Sequence, residues 1–148
     1  MRIAIVDDIE TERALLKMRL ERQLSLYGVE TEILEFDSSE SFLAAEKERH
    51  FTVAFLDIYM KGLSGMDAAK ELFSAGSRTK LIFLSSSTDF LRQSYSVRAV
   101  YYLVKPIVPE EFEQAMAFLE LQPDYIRKQS MKISDLYQSK EAGDKSMQ

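Results

Sequence analysis

The sequence predicts a doubly wound α/β fold: one five-stranded parallel sheet with helices on both faces. Three observations carry that expectation. Five short apolar and β-branched runs recur along the chain, at residues 3–6, 31–36, 52–56, 80–84 and 99–104. Segments with helical spacing separate them, and such alternation implies crossover connections between parallel strands. Three of the runs are continuously apolar, as strands covered on both faces must be. At 148 residues with 46% hydrophobic content, the chain is long enough for one domain with a sizeable core. The alternation does not compute the strand order, although 2-1-3-4-5 is one of the two common solutions.

Each element has its own justification. IAIV opens the sheet. TERALLKMRLERQLSLYG (11–28) then places Leu15, Leu16, Met18, Leu20 and Leu24 close to helical spacing and stops at Gly28. TEILEF is the second strand, followed by DSSESFLAAEKE (37–48), which opens on capping residues with a first-turn glutamate. After TVAFL comes SGMDAAKELFSAG (64–76), again closed by glycine. KLIFL is followed by SSTDFLRQSYSV, a helix expected to start at Ser86 or Ser87. AVYYLV leads into PEEFEQAMAFLEL, where Pro109 takes the favoured first-turn position and the acids behind it suit the helix dipole. Beyond Leu121 the composition turns polar at Pro123, so residues 1–121 are expected to form the domain and 122–148 a partly helical or disordered tail.

Composition excludes several chemistries. With no cysteine there is no disulfide, thiolate metal site or cysteine nucleophile, and with His50 as the single histidine a zinc site is not expected. His50 itself reads as a solvated loop residue. A net charge of −5 argues against nucleic-acid binding by this chain itself. The first apolar run is too short for a signal peptide and none is long enough to span a bilayer. A soluble cytoplasmic protein with no membrane partner is the expectation.

In an open parallel sheet, ligands bind outside the carboxyl ends of the strands. Asp7 and Asp8 follow the first strand, Asp57 the third, Ser85 to Ser87 the fourth, and Lys105 and Pro106 the fifth. Taken singly, each has a plainer reading: Asp7 and Asp8 as helix caps, Asp57 as a loop acid, the serines as the next helix's cap, Lys105 as a surface lysine. Together they place three carboxylates, a hydroxyl and an ammonium on one edge. Two carboxylates 4 Å apart repel by about 4 kcal/mol at an effective dielectric near 20, so the edge calls for a cation. Oxygen donors with room for water suit Mg²⁺. A metal and a fixed ammonium flanking one carboxylate form a site that can accept a phosphoryl group.

With IAIVDD, FLDIYMKGLSG, LIFLSSS and VYYLVKPI in this order, residues 1–121 resemble the receiver domain of bacterial two-component response regulators. The resemblance implies the flavodoxin-like receiver fold with strand order 2-1-3-4-5 and a phosphorylation-dependent signalling switch rather than an enzyme. It implies Asp57 as phosphoacceptor, Asp8 as a direct Mg²⁺ ligand, Asp7 as a ligand through water, and the Tyr59 backbone carbonyl as the remaining protein ligand. Ser85 and Lys105 would each bind a phosphoryl oxygen, and the Lys105–Pro106 peptide would be cis. Lys61 stands where the family usually has proline, which implies a more mobile loop. Tyr59 is bulky beside the path of attacking water, which implies slow self-hydrolysis.

The same resemblance implies a sensor histidine kinase as phosphodonor. Tyr102 would turn inward as Ser85 moves, although it also reads as a plain core aromatic, with Tyr101 on the opposite face. A homodimer through residues 87–121 is implied, with Phe90, Tyr95, Val97 and Val100 as candidates for a partly exposed patch. LRQSYSVRAVYYLVKPI is most similar to receivers of LytTR-type regulators. DNA would then be reached only through an output domain outside this chain, the alternative being a stand-alone receiver. A Mg²⁺-dependent phosphatase with Asp57 as nucleophile would use the same acids but wants another acid two residues on, where Tyr59 stands. A flavin carrier on the same fold would want a phosphate-cradling loop where Asp7 and Asp8 stand.

Overall fold

The computed structural model describes residues 1–28 and 30–119; the expected tail at 122–148 lies outside them. Five strands, β1 (Arg2–Val6), β2 (Glu32–Phe36), β3 (Val53–Asp57), β4 (Lys80–Ser85) and β5 (Tyr101–Val104), alternate with five helices. These are α1 (Glu10–Tyr27), α2 (Ser39–Glu48), α3 (Gly65–Ser74), α4 (Leu91–Ser96) and α5 (Pro109–Leu119). The sheet is parallel in the order β2-β1-β3-β4-β5, as the receiver resemblance implies.

Strand alternation splits the core into two layers. Ile3, Ile5, Val53, Phe55, Ile82, Leu84 and Leu103 face α1 and α5. Ala4, Val6, Ala54, Leu56, Leu81 and Phe83 face the opposite layer with Phe42, Met66 and Leu72 from α2 and α3. Every residue of β3 is buried, which explains its continuously apolar sequence. Burying a Leu or Phe side chain of this kind contributes about 1.5–3 kcal/mol.

α1 buries Leu16, Leu20 and Leu24, spaced four residues apart, and ends at Gly28 in the left-handed conformation with φ 68°. Leu15 and Met18 belong to the expected apolar spacing but are about half exposed, because the sheet covers one stripe of the helix and they lie beside it. α2 is capped by Ser38, whose Oγ accepts from the Ser41 N–H, and α3 by Ser64, which accepts from Asp67.

α4 is shorter than its sequence suggested. The Ser87 N–H donates to Ser85 Oγ (3.1 Å) and the Asp89 N–H to Ser87 Oγ (3.0 Å). Such local side-chain bonds hold the backbone in turns and compete with helix, so the helix begins only at Leu91. It closes at Arg98, a non-glycine residue at φ 58°, with the Ala99 N–H donating back to the Ser94 carbonyl. Val97, expected in a partly exposed patch, is buried at 6% exposure because it packs into the α2/α3 layer beneath this short helix.

At the far end of the sheet, His50 is exposed as expected but not merely solvated. Its Nδ1 lies 2.7 Å from Oε1 of the buried Glu46, which also accepts from the Phe51 N–H and the Thr79 hydroxyl.

Candidate phosphoacceptor site

The backbone ladder delivers the site residues to one edge. The Asp7 N–H donates to the Phe36 carbonyl, extending the β1–β2 pairing by one residue. Asp57 closes β3 opposite Leu84, and the Ile58 N–H donates to the Leu84 carbonyl. Ser85 closes β4, and its carbonyl accepts from the Lys105 N–H at 2.8 Å. The Lys105–Pro106 peptide is cis, as expected.

Three carboxylates meet one ammonium. Lys105 Nζ lies 2.8 Å from Asp57 Oδ2 and 3.1 Å from Asp7 Oδ2, and it also binds Glu12 Oε2. The remaining oxygen of each aspartate is held by backbone: Asp57 Oδ1 accepts from the Tyr59 N–H (3.0 Å) and Asp7 Oδ1 from the Ile9 N–H (2.9 Å). Burial alone would lower the Lys105 pKa, but the hydrogen bonds to Asp57 and Glu12, the Coulombic attraction of Asp57 and the hydrogen bond to Asp7 outweigh it. The ammonium is therefore held above its usual range. Asp7, Glu12 and Asp57 bring one oxygen each within 4.8 Å of one another. An all-oxygen set of this kind fits a hard divalent cation, and Asp7 and Asp57 are its backbone-anchored members.

Asp8 stands outside that group. It is half-buried, and its Oδ2 accepts from the Lys61 N–H at a long 3.4 Å. Tyr59 is 46% exposed and sets its ring edge-on against Phe90, 5.6 Å between centroids, bridging the loops after β3 and β4. Ser85 is fully buried. Tyr102 packs against Phe83 and its hydroxyl donates to the Ser87 carbonyl at 2.6 Å, so Ser85 and Tyr102 hold the same residue from its two backbone ends. Tyr101 lies on the other face, as alternation requires, and its ring stacks on Phe118.

Three contributors were not read from the sequence. Glu12 sits in the first turn of α1, where an acid is accounted for by the helix dipole alone. Gly65 approaches the site so closely that a Cβ there would lie 2.1 Å from the Asp57 carbonyl oxygen. Glu40, on α2, accepts from the Leu63 N–H at 2.8 Å and so tethers the loop after β3. That backbone hydrogen bond lowers the Glu40 pKa below its ordinary 4.5. The stabilisation it adds is complete above pH 4.5 and is lost as pH falls through the lowered value. The melting temperature of Glu40→Gln should therefore lie below that of the parent at neutral pH and converge with it in acid. A constant gap down to pH 3 would show that the carboxylate is not the source.

A parallel 2-1-3-4-5 sheet with acids and a lysine gathered at its carboxyl edge defines a receiver-type α/β domain. Residues 3–117 match the response regulator receiver domain, and the chain belongs to that family. Among its relatives are the positive alginate biosynthesis regulatory protein of Pseudomonas aeruginosa (34% identical; 78% of this chain, 46% of that protein) and the transcriptional regulatory protein MalR of Bacillus subtilis (31%; 73% and 49%). The sensory transduction protein LytR of Staphylococcus epidermidis is 26% identical over 93% of this chain and 53% of its own length. The chain thus spans about half the length of these curated relatives. The crystal structure of the Thermotoga maritima response regulator protein TrrA in complex with Mg²⁺-BeF superimposes with a TM-score of 0.68, at 28% identity over 80% of this chain and 97% of that one. Response-regulator receivers are signalling switches phosphorylated by sensor histidine kinases, and they generally bind Mg²⁺ at an acidic cluster. Among the described residues, no helix is long and apolar enough to cross a membrane.

Proposed function

We propose that this chain is a phosphorylation switch whose phosphoacceptor is Asp57. The observation that carries the reading is the ammonium of Lys105 set 2.8 Å from Asp57 Oδ2 at the carboxyl edge of the sheet. An Asp57 oxygen attacks the phosphorus of a phosphohistidine on the sensor kinase. The P–N bond breaks, its electron pair leaves with the imidazole nitrogen, and an acyl phosphate remains on Asp57. Water later cleaves the new P–O bond and restores the carboxylate. Lys105 and Ser85 each take a phosphoryl oxygen. Mg²⁺, which supplies charge neutralisation, would be held by Asp57, Asp8 and the Tyr59 carbonyl, with Asp7 reached through water.

Phosphorylation adds close to two negative charges beside Lys105 and Ser85. If Ser85 turns toward them it releases the Ser87 N–H, and the other tether on Ser87, the Tyr102 hydroxyl, transmits the change to α4 and β5. The output surface is residues 87–121, where Leu91, Tyr95, Val108 and Phe118 expose apolar area suited to a homodimer. Residues 122–148 serve as a connection to a LytTR-type output domain, through which the regulator would reach DNA. A few kcal/mol of difference between the two states suffices for such a switch.

Intact-mass measurement after incubation with acetyl phosphate and Mg²⁺ tests the assignment. One phosphoryl group is expected on the parent and none on Asp57→Asn. A phosphoryl group on both would place the acceptor elsewhere.

A further inference from the structure

A lysine ammonium has three hydrogens to donate, and three carboxylates already take those of Lys105. A phosphoryl group carried by Asp57 brings several anionic oxygens to Lys105, where they compete with the acids that remain. Asp7 is a poor candidate for displacement, since its side chain is 2% exposed and anchored by the Ile9 N–H. Asp57 gives up its carboxylate charge on phosphorylation but stays at the site, 7% exposed and anchored by the Tyr59 N–H, with the phosphoryl group attached to it. Glu12 differs in all of these respects. Its side chain is 39% exposed, it hangs from the first turn of α1 on a longer stem, and among the described residues its carboxylate is held by Lys105 alone. Beside it lies a cleft of about 200 Å³ between α1 and the loop after β5. Arg19, two helical turns along the same face and bonded to the Ile107 carbonyl, lines that cleft and offers the departing carboxylate a cation.

We propose that Glu12 is a built-in substitute for the phosphoryl group, occupying a coordination position on Lys105 until Asp57 is phosphorylated and being displaced by it. Glu12 is a positioning residue: it acts through Lys105 and touches no reacting atom. It raises the free energy of the phosphorylated state twice, by competing for Lys105 and by adding a negative charge beside the phosphoryl oxygens. The chain therefore holds its own switch toward the unphosphorylated state, whatever the strength of the incoming signal. This inference rests on the reading of Asp57 as phosphoacceptor.

The test compares the parent with Glu12→Gln, which keeps size and loses charge, and Glu12→Asp, which keeps charge and shortens the reach. Beryllium trifluoride with Mg²⁺ is the probe, its binding followed by tyrosine fluorescence, with phosphoryl uptake from acetyl phosphate measured alongside. Glu12→Gln should bind the probe and take up phosphoryl about two- to fivefold better, the range for a partly exposed ion pair. Glu12→Asp should fall between it and the parent. The advantage of Glu12→Gln should shrink as salt is raised, because the pair is open to solvent. Thermal midpoints of the variants within a few degrees of the parent exclude a folding effect. Equal affinity in Glu12→Gln and parent overturns the proposal. So does weaker Mg²⁺ binding accompanied by weaker probe binding in Glu12→Gln, which would make Glu12 a metal ligand. If the parent takes up no phosphoryl group at Asp57, the functional reading itself falls; uptake at Asp57 with no Glu12 effect removes only this inference.

Discussion

Gly65→Ala should lower stability by about 3 kcal/mol, the upper range for forcing a methyl group into a closed space. For a domain of about 120 residues that corresponds to a fall in melting temperature of about 12 °C. The added Cβ would lie 2.1 Å from the Asp57 carbonyl oxygen, 2.8 Å from its carbon and 3.1 Å from Ile58 Cα. All three are backbone atoms of the segment that ends β3, so no side-chain rotation relieves the clash. Relief requires α3 to move away from the sheet, which breaks the bond from the Gly65 N–H to the Ile58 carbonyl (3.1 Å) and shifts Asp57 relative to Lys105. The variant should therefore also lose at least tenfold in phosphoryl uptake, since sub-ångström placement governs such transfers. Gly62 makes the contrast. Its Cβ would meet only the end of the Glu40 side chain, at 2.9 Å, so Gly62→Ala carries the cost of a positive φ (78°) without displacing Asp57. A Gly65→Ala melting temperature equal to that of the parent would show that α3 accommodates a methyl group here without cost.

The legible part of the site is the part tied to strand ends. Asp7, Asp57, Ser85 and Lys105 each follow an apolar run of strand length, and parallel strands deliver their carboxyl ends to one edge whatever the details of packing. The contributors that escaped are those whose role depends on how a helix or loop folds back. Glu12 is 93 residues from Lys105, and an acid in a first helical turn has a sufficient local explanation. Gly65 falls at the start of the helix expected over 64–76, with nothing in the sequence to mark it; its approach to Asp57 arises only when the loop turns the chain back under β3. The serines at the end of β4 look like a helix cap, yet Ser85 Oγ accepts from the Ser87 N–H and Ser87 Oγ from the Asp89 N–H, and the turns they hold delay α4 by several residues. Val97 follows a short helix as its capping residue, and only the packing decides whether such a residue points outward or, as here, into the core.

Lys105→Met should separate the structural work of the lysine from its chemical work. Without the ammonium, Asp7, Glu12 and Asp57 keep oxygens within 4.8 Å of one another and no bonded cation among them. Removing one partner from a buried charge cluster costs about 3–5 kcal/mol. Lys105 is 19% exposed and Glu12 39%, so water screens the cluster and the lower end of that range is expected. Mg²⁺ should then return more stability to the variant than to the parent, because the ion no longer competes with a fixed positive charge for the same carboxylates. Phosphoryl uptake should nonetheless stay about a hundredfold below the parent even with Mg²⁺ present, the usual loss on deleting a preorganised group that faces developing charge. Lys105→Arg sharpens the distinction. Its guanidinium restores the charge, but its planar fork cannot converge three donors on one point as an ammonium does. Stability should recover more fully than uptake. Melting curves with and without Mg²⁺, run beside acetyl phosphate kinetics, decide the matter. A methionine variant as stable as the parent without Mg²⁺ would mean that the three acids do not share one cation in solution, and the pocket inferred from their convergence would have to be redrawn.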